Sequence, residues 1–293
     1  MLSYKKGIAI AKCGDKIIYL NSDSQDVKSK LSQSFKDELK KLSITDRKKI
    51  IECLQQKSPP TNDKKLLQLY EKGINDLNEK GFTEIKCKEK VQVLPRKDLV
   101  EKVYISGVSG SGKSTYTGKY IKEFKKMFKN DEIFVFSSVS KDEAFDKFNP
   151  IRIPIDEDLL EEPLNISDFE NSLTIFDDTD TIRNKIYRDI VNGIKAEMIE
   201  IGRHYKARCI ITSHMISNYR STRQILNEAT SITFFPKSSG TYHIKNYLKT
   251  YAGLDKSQIQ KILKISSRWI TIYRTYPSYI VWEHGISILA DFN

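Results

Sequence analysis

The sequence predicts an α/β fold built on a mostly parallel sheet, and two patterns support this. Short apolar runs typical of buried parallel strands alternate with longer segments of helical periodicity along the centre of the chain. The clearest unit is a strand at 103–106, a loop rich in glycine and serine, and a helix over 112–128. Because parallel strands need crossover connections, this alternation indicates a sheet covered by helices on both faces.

The remaining core elements follow from the same patterns. Four further strands are predicted from short runs rich in β-branched and aromatic residues: 132–137, 173–176, 208–213 and 230–235. Apolar residues at every fourth position predict a helix over 182–200. The buried stripe expected for this helix contains Ile182, Ile186, Ile190, Ile194 and Met198.

The two ends of the chain are expected to add smaller regions to this core. The first 98 residues predict a β-hairpin around Gly14, three amphipathic helices and two short strands that lead into the core. The last 57 residues predict two helices and three strands, read as a small appendage. The expected domains are therefore an α+β N-terminal region (1–98), a core (99–236) and a small α+β C-terminal region (237–293).

Composition narrows the class of protein. Lys and Arg number 49 against 38 Asp and Glu, and the resulting charge of +11 favours a polyanionic partner such as DNA or RNA. No run of 18 apolar residues occurs, so we expect no membrane span. The four cysteines are far apart and form no C-x-x-C pair, which favours reduced thiols over a disulfide framework or a metal site.

The loop after the strand at 103–106 matches the phosphate-binding pattern G-x-x-x-x-G-K-[ST]. Its glycines let backbone N–H groups surround phosphate oxygens, while Lys113 reaches the β and γ oxygens and Ser114 offers its hydroxyl to Mg²⁺. The positive end of the following helix adds to the attraction. The sequence therefore predicts a site for a nucleoside triphosphate with Mg²⁺, formed by Gly107, Val108, Ser109, Gly110, Ser111, Gly112, Lys113, Ser114 and Thr115.

Two adjacent carboxylates complete the predicted site. Asp177 and Asp178 follow the strand at 173–176, and the carboxyl end of such a strand opens beside the phosphate loop. We expect Asp177 to belong to the Mg²⁺ shell and Asp178 to orient or activate the attacking water. Asp180 either joins this pair or caps the next helix.

Downstream basic residues are candidates for contact with the γ-phosphate. His214, at the end of the strand at 208–213, is expected to hydrogen-bond that phosphate or the water and to report hydrolysis to the rest of the protein. Arg203 is the favoured candidate for an arginine that acts at a neighbouring subunit's site, with Arg220 and Arg223 in reserve. The alternative for each is to neutralise a helix dipole.

Together these segments resemble a known family. The set GVSGSGKST, LTIFDDTD, IGRHYKARCIITSH and NYRSTRQILNEATSITFFPKS is similar to the DNA-packaging ATPases of poxviruses and other nucleocytoplasmic large DNA viruses, of the FtsK–HerA superfamily. The likeness covers about residues 90–236, whereas residues 1–90 carry no matching motif. It implies a RecA-like P-loop core that binds ATP and Mg²⁺, and a homo-oligomeric ring that moves double-stranded DNA into a preformed capsid.

The resemblance also implies partners and a location, and this sequence differs from the family pattern at some site positions. Capsid or portal-vertex proteins are expected partners, and the host cytoplasm, at viral factories, and the virion are expected locations. Arg203 lies in the segment where the superfamily carries a motif arginine, and His214 stands where cellular relatives usually have glutamine. Asp178 stands where many such motors carry glutamate, and its shorter side chain places the general base differently, whereas Asp177 matches the metal-binding acid.

Two other functions remain compatible with the motifs. The loop also occurs in small-molecule kinases that act on sugars or nucleotides, but the arginine-rich lid and acceptor-binding acid of such enzymes are not clearly placed here. A scaffold that binds ATP and hydrolyses little of it is the third candidate. Addition of nucleic acid distinguishes the motor, the kinase and the scaffold, because we expect only the ATPase rate of a DNA motor to rise.

Overall fold

The computed structural model describes residues 1–5, 7–21, 31–56, 58–60, 63–80, 83–217 and 222–289. In this part of the chain the strands are β1 Leu2–Ser3, β2 Ile8–Cys13, β3 Lys16–Leu20, β4 Glu84–Lys86, β5 Val91–Val93, β6 Lys102–Ser106, β7 Glu132–Ser137, β8 Ile151–Ile153, β9 Ser172–Asp177, β10 Arg208–Ser213, β11 Ser231–Phe234, β12 Ile270–Tyr273, β13 Tyr279–Trp282 and β14 Gly285–Ile288. The α-helices are α1 Gln33–Lys40, α2 Ile44–Gln56, α3 Lys64–Lys80, α4 Lys113–Met127, α5 Glu143–Asp146, α6 Asp158–Glu161, α7 Lys185–Ile201, α8 Arg223–Glu228, α9 Thr241–Thr250 and α10 Lys256–Lys264.

A ten-stranded sheet organises the protein and confirms the predicted α/β class. Its strand order is β4-β14-β13-β12-β11-β6-β10-β9-β7-β8. The six strands from β11 to β8 are parallel, and the four on the other side are antiparallel. Because β10 separates β6 from β9, one strand lies between the phosphate-loop strand and the acid-bearing strand. All three carboxyl ends meet at one edge of the sheet.

Helices and a second, smaller sheet cover the two faces of the large sheet. Along β10, Ile210 packs into one hydrophobic core, while Cys209 and Ile211 pack into the other. One face is covered by α4 together with the four-stranded sheet β1-β3-β2-β5. The opposite face is covered by α7, α9 and α10. Burial on both faces explains the almost continuous apolar runs of the central strands.

The predicted stripe of helix α7 is partly wrong. Ile194 and Met198 are buried as expected, but Ile186 is 58% exposed. Each step of four residues advances the side chain by about 40° around a helix of 3.6 residues per turn, so a long four-residue repeat leaves a single face. The helix begins at Lys185, after the cap residue Asn184, whose side chain accepts from Ile186 N at 2.9 Å.

The C-terminal region packs directly against the core. Strands β12, β13 and β14 extend the core sheet beyond β11, which gives the β11 backbone a partner on both sides. Tyr247 of α9 is fully buried, with its ring centroid 6.2 Å from that of Phe234 in β11. The small C-terminal region predicted from the sequence therefore shares the sheet of the core.

The N-terminal region contributes to both sheets and also has a core of its own. Its strand β4 pairs with β14 at the end of the large sheet, and β5 pairs with β2 in the small one. Helices α1 to α3 bury a separate apolar cluster. The division of the chain at residues 98 and 236 stays a prediction, although the large sheet crosses both boundaries. None of the described helices combines the length and apolar composition needed to cross a bilayer.

A buried carboxyl group lies at the edge of the sheet opposite the phosphate loop. Glu101 precedes β6 and is fully buried; its Oε2 accepts from Tyr120 Oη at 2.6 Å and from Arg96 N at 2.7 Å. Its Oε1 has no hydrogen-bond partner among the described residues. Burial raises the pKa of Glu101 to about 7, against the two hydrogen bonds, which lower it.

We expect Glu101→Gln to reduce the pH dependence of stability. A folded pKa of about 7 exceeds the usual carboxyl value, so the folded state holds the proton more tightly than the unfolded chain. Between pH 4.5 and 7 the free energy of unfolding should therefore fall by about 3 kcal/mol as pH rises. Urea denaturation across this range should give a flatter profile for the variant. The exposed Glu132→Gln is the matched control, and an unchanged profile for Glu101→Gln would contradict the prediction.

Candidate active site

The phosphate-loop segment forms a tight connection between β6 and α4. Gly110 and Gly112 have φ values of +74° and +110°, in the region that side chains other than glycine rarely adopt. At Gly107 an added Cβ would lie 2.5 Å from Ser111 Oγ and 2.8 Å from the Phe235 ring, so close packing requires glycine there. The loop tip at 108–110 is exposed. Backbone N–H groups are thus available at the N-terminus of α4.

Lys113 is buried and points across its own loop towards the acid pair. Its Nζ donates to the carbonyl oxygen of Gly107 at 2.9 Å and lies 3.3 Å from Asp178 Oδ2. The same Nζ is 3.5 Å from Nδ1 of His214. Three of the residues singled out from sequence, on three different strand ends or loops, therefore meet at one point.

Thr212 links the two predicted carboxylates. Its hydroxyl lies 3.0 Å from Asp177 Oδ1 and 3.0 Å from Asp178 Oδ1, and it accepts from Asp178 N at 2.8 Å. Asp177 also accepts from Ser137 Oγ at 3.1 Å. Burial raises the pKa of Asp177, the neighbouring charge of Asp178 adds to this, and the two hydroxyls act in the opposite direction. The pair is therefore held in place before any cation is present.

The residues present fit a magnesium ion bound together with phosphate. Mg²⁺ in phosphate sites takes oxygen ligands, usually one or two carboxylates with the remainder from phosphate and water. Asp177 and the hydroxyl of Ser114 supply this kind of donor at the sheet edge. No cluster of three or more His, Cys, Asp or Glu suited to a metal occurs in the described ranges. Such a cluster is not needed where phosphate oxygens complete the shell.

His214 contacts both partners of the central ion pair. Its Nε2 lies 3.3 Å from Asp178 Oδ2, and its Nδ1 faces the Lys113 ammonium. An ammonium only donates and a carboxylate only accepts, so this geometry is satisfied by a neutral imidazole protonated at Nε2. The ring is partly exposed, with 37% of its side chain accessible. It is therefore placed between the acid pair and solvent.

Asp180 lies beside the acid pair, and Asn184, not Asp180, caps the next helix. Its Oδ2 accepts from Ser213 Oγ at 2.9 Å, next to the strand end that carries Thr212. The turn of residues 179–181 is also held by the buried Lys195, whose Nζ donates to Thr179 Oγ1 at 3.0 Å. Burial lowers the pKa of Lys195 to about 8, although Asp180 acts to raise it. The acidic turn is thereby fixed from both sides.

Arg203, the favoured arginine, lies far from this cluster within one chain. Arg203 lies in a short 3-10 helix that precedes β10, and it is exposed at the opposite edge of the sheet. Strand β10 spans about 20 Å, well beyond the reach of an arginine side chain. Arg223 begins helix α8, and Arg220 lies outside the described residues. Within one chain, Arg203 therefore cannot contact its own phosphate loop.

Sequence reasoning missed two hydroxyl groups that organise the acids. The polar end of β10 was expected near the γ-phosphate, but the link that Thr212 makes between the carboxylates was not. For Ser137, the sequence pattern predicts only the end of a strand. A small hydroxyl residue directly after an apolar strand, at an edge that already carries acids, was the available signal.

Comparison with known proteins gives a relative of viral origin. An uncharacterized protein of Sputnik virophage, V3, is 43% identical over 219 residues, which covers 74% of this chain and 89% of the relative. The chain belongs to the V3 family. This relative agrees with the expected viral origin of the family. No established family model matches the chain.

Solved structures with a similar fold include two of protein B204. The genome-packaging NTPase B204 of Sulfolobus turreted icosahedral virus 2, in complex with ATP-γ-S, is 14% identical, with a TM-score of 0.43 over 61% of this chain and 96% of that one. B204 of Sulfolobus turreted icosahedral virus, a DNA-packaging ATPase, is 17% identical, with a TM-score of 0.45 over 61% and 96%. The V3-family assignment depends on the virophage relative, and the fold on the strand order of the chain itself.

We expect Thr212→Val to destabilise the V3-family protein. Valine has a similar shape but leaves Asp177 Oδ1 and the Asp178 N–H without their buried partner, at a cost of about 1–3 kcal/mol. Urea denaturation at pH 7 measures this loss. Thr212→Ser retains the hydroxyl and should recover most of the stability. If the valine variant were as stable as the parent, Thr212 would not hold the acid pair.

Proposed function

We propose that the protein is a P-loop ATPase whose Mg²⁺-dependent hydrolysis of ATP drives double-stranded DNA into a viral capsid. The main support for this proposal is that the phosphate loop and the acid pair lie together, with Lys113 Nζ 3.3 Å from Asp178 Oδ2. A phosphate-binding cation and a water-orienting carboxylate at one point form the arrangement that phosphoanhydride hydrolysis requires.

Nucleotide binding would exchange one partner of Lys113 for another. The Lys113 ammonium is paired with the Asp178 carboxylate and donates a hydrogen bond to the carbonyl of Gly107. A triphosphate seated on the loop amides offers β and γ oxygens to the same ammonium, and this releases the Asp178 carboxylate. Ser114 and Asp177 would hold Mg²⁺, which when bound neutralises charge on the phosphate oxygens. Binding thus prepares the carboxylate for catalysis.

The released carboxylate of Asp178 would orient the attacking water. Thr212 keeps its Oδ1 fixed, and the free Oδ2 is then available to accept a proton from the water. The imidazole of His214, which lies 3.3 Å from Oδ2, is placed to sense the γ-phosphate as it departs. Because β10 carries both His214 and Thr212, a change at this point is coupled to the strand between the phosphate loop and the acids.

Assembly into a homo-oligomeric ring is supported by the distribution of exposed residues. Val108, Val139 and Met215 are exposed apolar side chains that follow the carboxyl ends of β6, β7 and β10. A second copy that covered this edge would bury them and would exclude water from the site. Arg203 of that copy, which cannot reach its own loop, would then be the arginine that stabilises the transferring phosphoryl group.

The DNA part of the proposal is supported by charge and by family. The excess of 11 positive charges suits contact with phosphate backbones, which is independent of sequence and therefore appropriate for a motor. The viral relative favours a role in the infected cell, with capsid or portal-vertex proteins as further partners. None of the contacts described above favours the kinase or scaffold alternatives.

ATPase rate with and without double-stranded DNA tests this function. The full chain, with oligomer mass recorded in parallel, should hydrolyse MgATP severalfold faster when DNA is present. Asp178→Asn is the matched variant: it should bind MgATP at least as tightly as the parent, since it removes the anion that competes for Lys113, yet lose about 100-fold or more in rate. If an assembled oligomer hydrolysed ATP at the same rate with and without DNA, the proposal that it translocates DNA would be overturned. Hydrolysis by Asp178→Asn at the parental rate would remove Asp178 from the chemistry.

Mixing two inactive variants tests the arginine in trans. Arg203→Ala chains keep the phosphate loop but lack the arginine, and Lys113→Ala chains keep the arginine but cannot bind nucleotide. Each alone should be inactive, whereas mixed rings should regain measurable ATPase activity because one chain completes the other's site. The control is a mixture of Arg203→Ala chains with chains that carry both Arg203→Ala and Lys113→Ala. It should stay inactive, because no chain in it supplies the arginine. Full activity of Arg203→Ala alone would assign the role to another residue.

A further inference from the structure

A second concave surface adjoins the phosphate loop. This cleft is shallow and open to solvent, with an enclosed volume of about 60 Å³, so it would cover only part of a ligand. It is lined by the first turns of α4, by Phe235 after β11, by Arg268 and Trp269 before β12, and by the N-terminal segment 90–93. Residues of the acid pair do not line it. The cleft is therefore separate from the cluster around Asp178.

The order of the strands determines which part of a nucleotide faces this cleft. Strand β6, which leads into the phosphate loop, has β10 on one side and β11 on the other. The β10 side carries the acids, and Lys113, which contacts β and γ oxygens in such loops, points there. The γ-phosphate therefore faces β10. The α-phosphate and the nucleoside must leave the loop on the β11 side, where the cleft opens.

The chemistry of the cleft suits a planar heteroaromatic ring attached to an anion. The half-buried indole of Trp269 packs edge-on against Tyr116, with ring centroids 5.1 Å apart and planes at 71°. Phe235 adds a third aromatic ring beside Gly107 and Gly112. Cationic side chains line the rim, Lys119 among them. Nucleobases stack on aromatic and guanidinium faces, and ribose phosphates attract cations.

Arg268 connects the cleft to the loop. Its Nη2 lies 3.5 Å from the position that a Cβ on Gly112 would take, and its side chain is exposed. Its backbone N–H is fixed by Glu283 Oε2 at 2.7 Å, and Glu283 is in turn paired with Lys90 at 3.5 Å. In the described residues its guanidinium donates no hydrogen bond. The backbone is thus anchored, while the cationic group faces the cleft.

We propose that this cleft binds the nucleoside of the nucleotide, with the Arg268 guanidinium over the base and ribose and Trp269 beside the base. The inference rests on the proposed nucleotide chemistry and extends it to recognition of the base. It also gives the N-terminal region a role, because Lys90 and Gln92 form a wall of the same cleft. The nucleotide would then hold together segments that are distant in sequence.

Two ligands that both carry a triphosphate, only one of which carries a nucleoside, separate this inference from the proposed function. Calorimetric titration of the full chain with MgATP and with magnesium tripolyphosphate measures both affinities. MgATP should bind at least tenfold more tightly. Arg268→Ala should weaken MgATP binding about tenfold and change tripolyphosphate binding less than threefold. Lys264→Ala, which removes an exposed charge outside the cleft, is the matched control and should change neither.

Tryptophan fluorescence gives a second readout. The chain has two tryptophans, and Trp282 is buried in strand β13, away from the cleft. MgATP should change the emission of Trp269, whereas tripolyphosphate should not. Trp269→Phe should abolish the change, with the remaining emission of Trp282 reporting that the variant is folded.

The possible outcomes distinguish the two proposals. Equal affinities of the parent for the two ligands, or equal losses for both in Arg268→Ala, would overturn the nucleoside cleft and leave the phosphate loop in place. If the parent bound neither ligand, the proposed nucleotide chemistry would fail, and the cleft inference with it. A MgATP-specific loss together with a MgATP-specific change in Trp269 emission would support the cleft.

Discussion

The ion pair between Lys113 and Asp178 is the contact on which the site depends. It joins the first turn of α4 to the end of β9, across the intervening strand β10. A lysine that is only 7% exposed needs a nearby anion, because an isolated buried charge is costly. In the proposed mechanism this contact opens when a triphosphate offers its own oxygens. Nucleotide binding would then be coupled directly to the carboxylate proposed to orient water.

The two edges of the sheet have different properties. The carboxyl edge carries the phosphate loop, the acid pair, His214 and several exposed apolar side chains. The opposite edge carries Arg203 and the buried carboxyl of Glu101. A parallel sheet places these two groups about one strand length apart, so the proposed contact between Arg203 and the phosphate loop would require a second copy of the chain. This polarity suits head-to-tail assembly, which generates rings.

The antiparallel strands have two structural effects on the core sheet. They extend it beyond β11, protect that edge, and bring Arg268, Trp269 and Glu283 beside the phosphate loop. Strand β5 and the residues next to it complete the cleft from the N-terminal side. The proposed phosphate chemistry thus lies on the side of the loop towards β10, and the proposed base-binding groups lie on the side towards β11.

Local patterns in the sequence were sufficient for the longer strands and helices of the core and for selecting the candidate site residues, but they did not predict β8 or the short helices α5, α6 and α8. The strand, glycine loop and helix at 103–128 form a contiguous segment, so their chemistry can be predicted without knowledge of the fold. The apolar strand before Asp177 is an equally local pattern. Burial of α7 was predicted less well. A four-residue repeat drifts around a helix, and only packing against the sheet decides which face is covered, as the exposed Ile186 illustrates.

Only the tertiary structure decided how distant segments combine. The sequence by itself determined the α/β class, the phosphate loop and the acid pair, because each is encoded by neighbouring residues. It did not determine that Thr212 holds both acids, that the C-terminal strands continue the core sheet, or that segment 90–93 meets Arg268. These contacts join residues more than 30 positions apart, and their geometry follows from strand order and register, which no local pattern specifies.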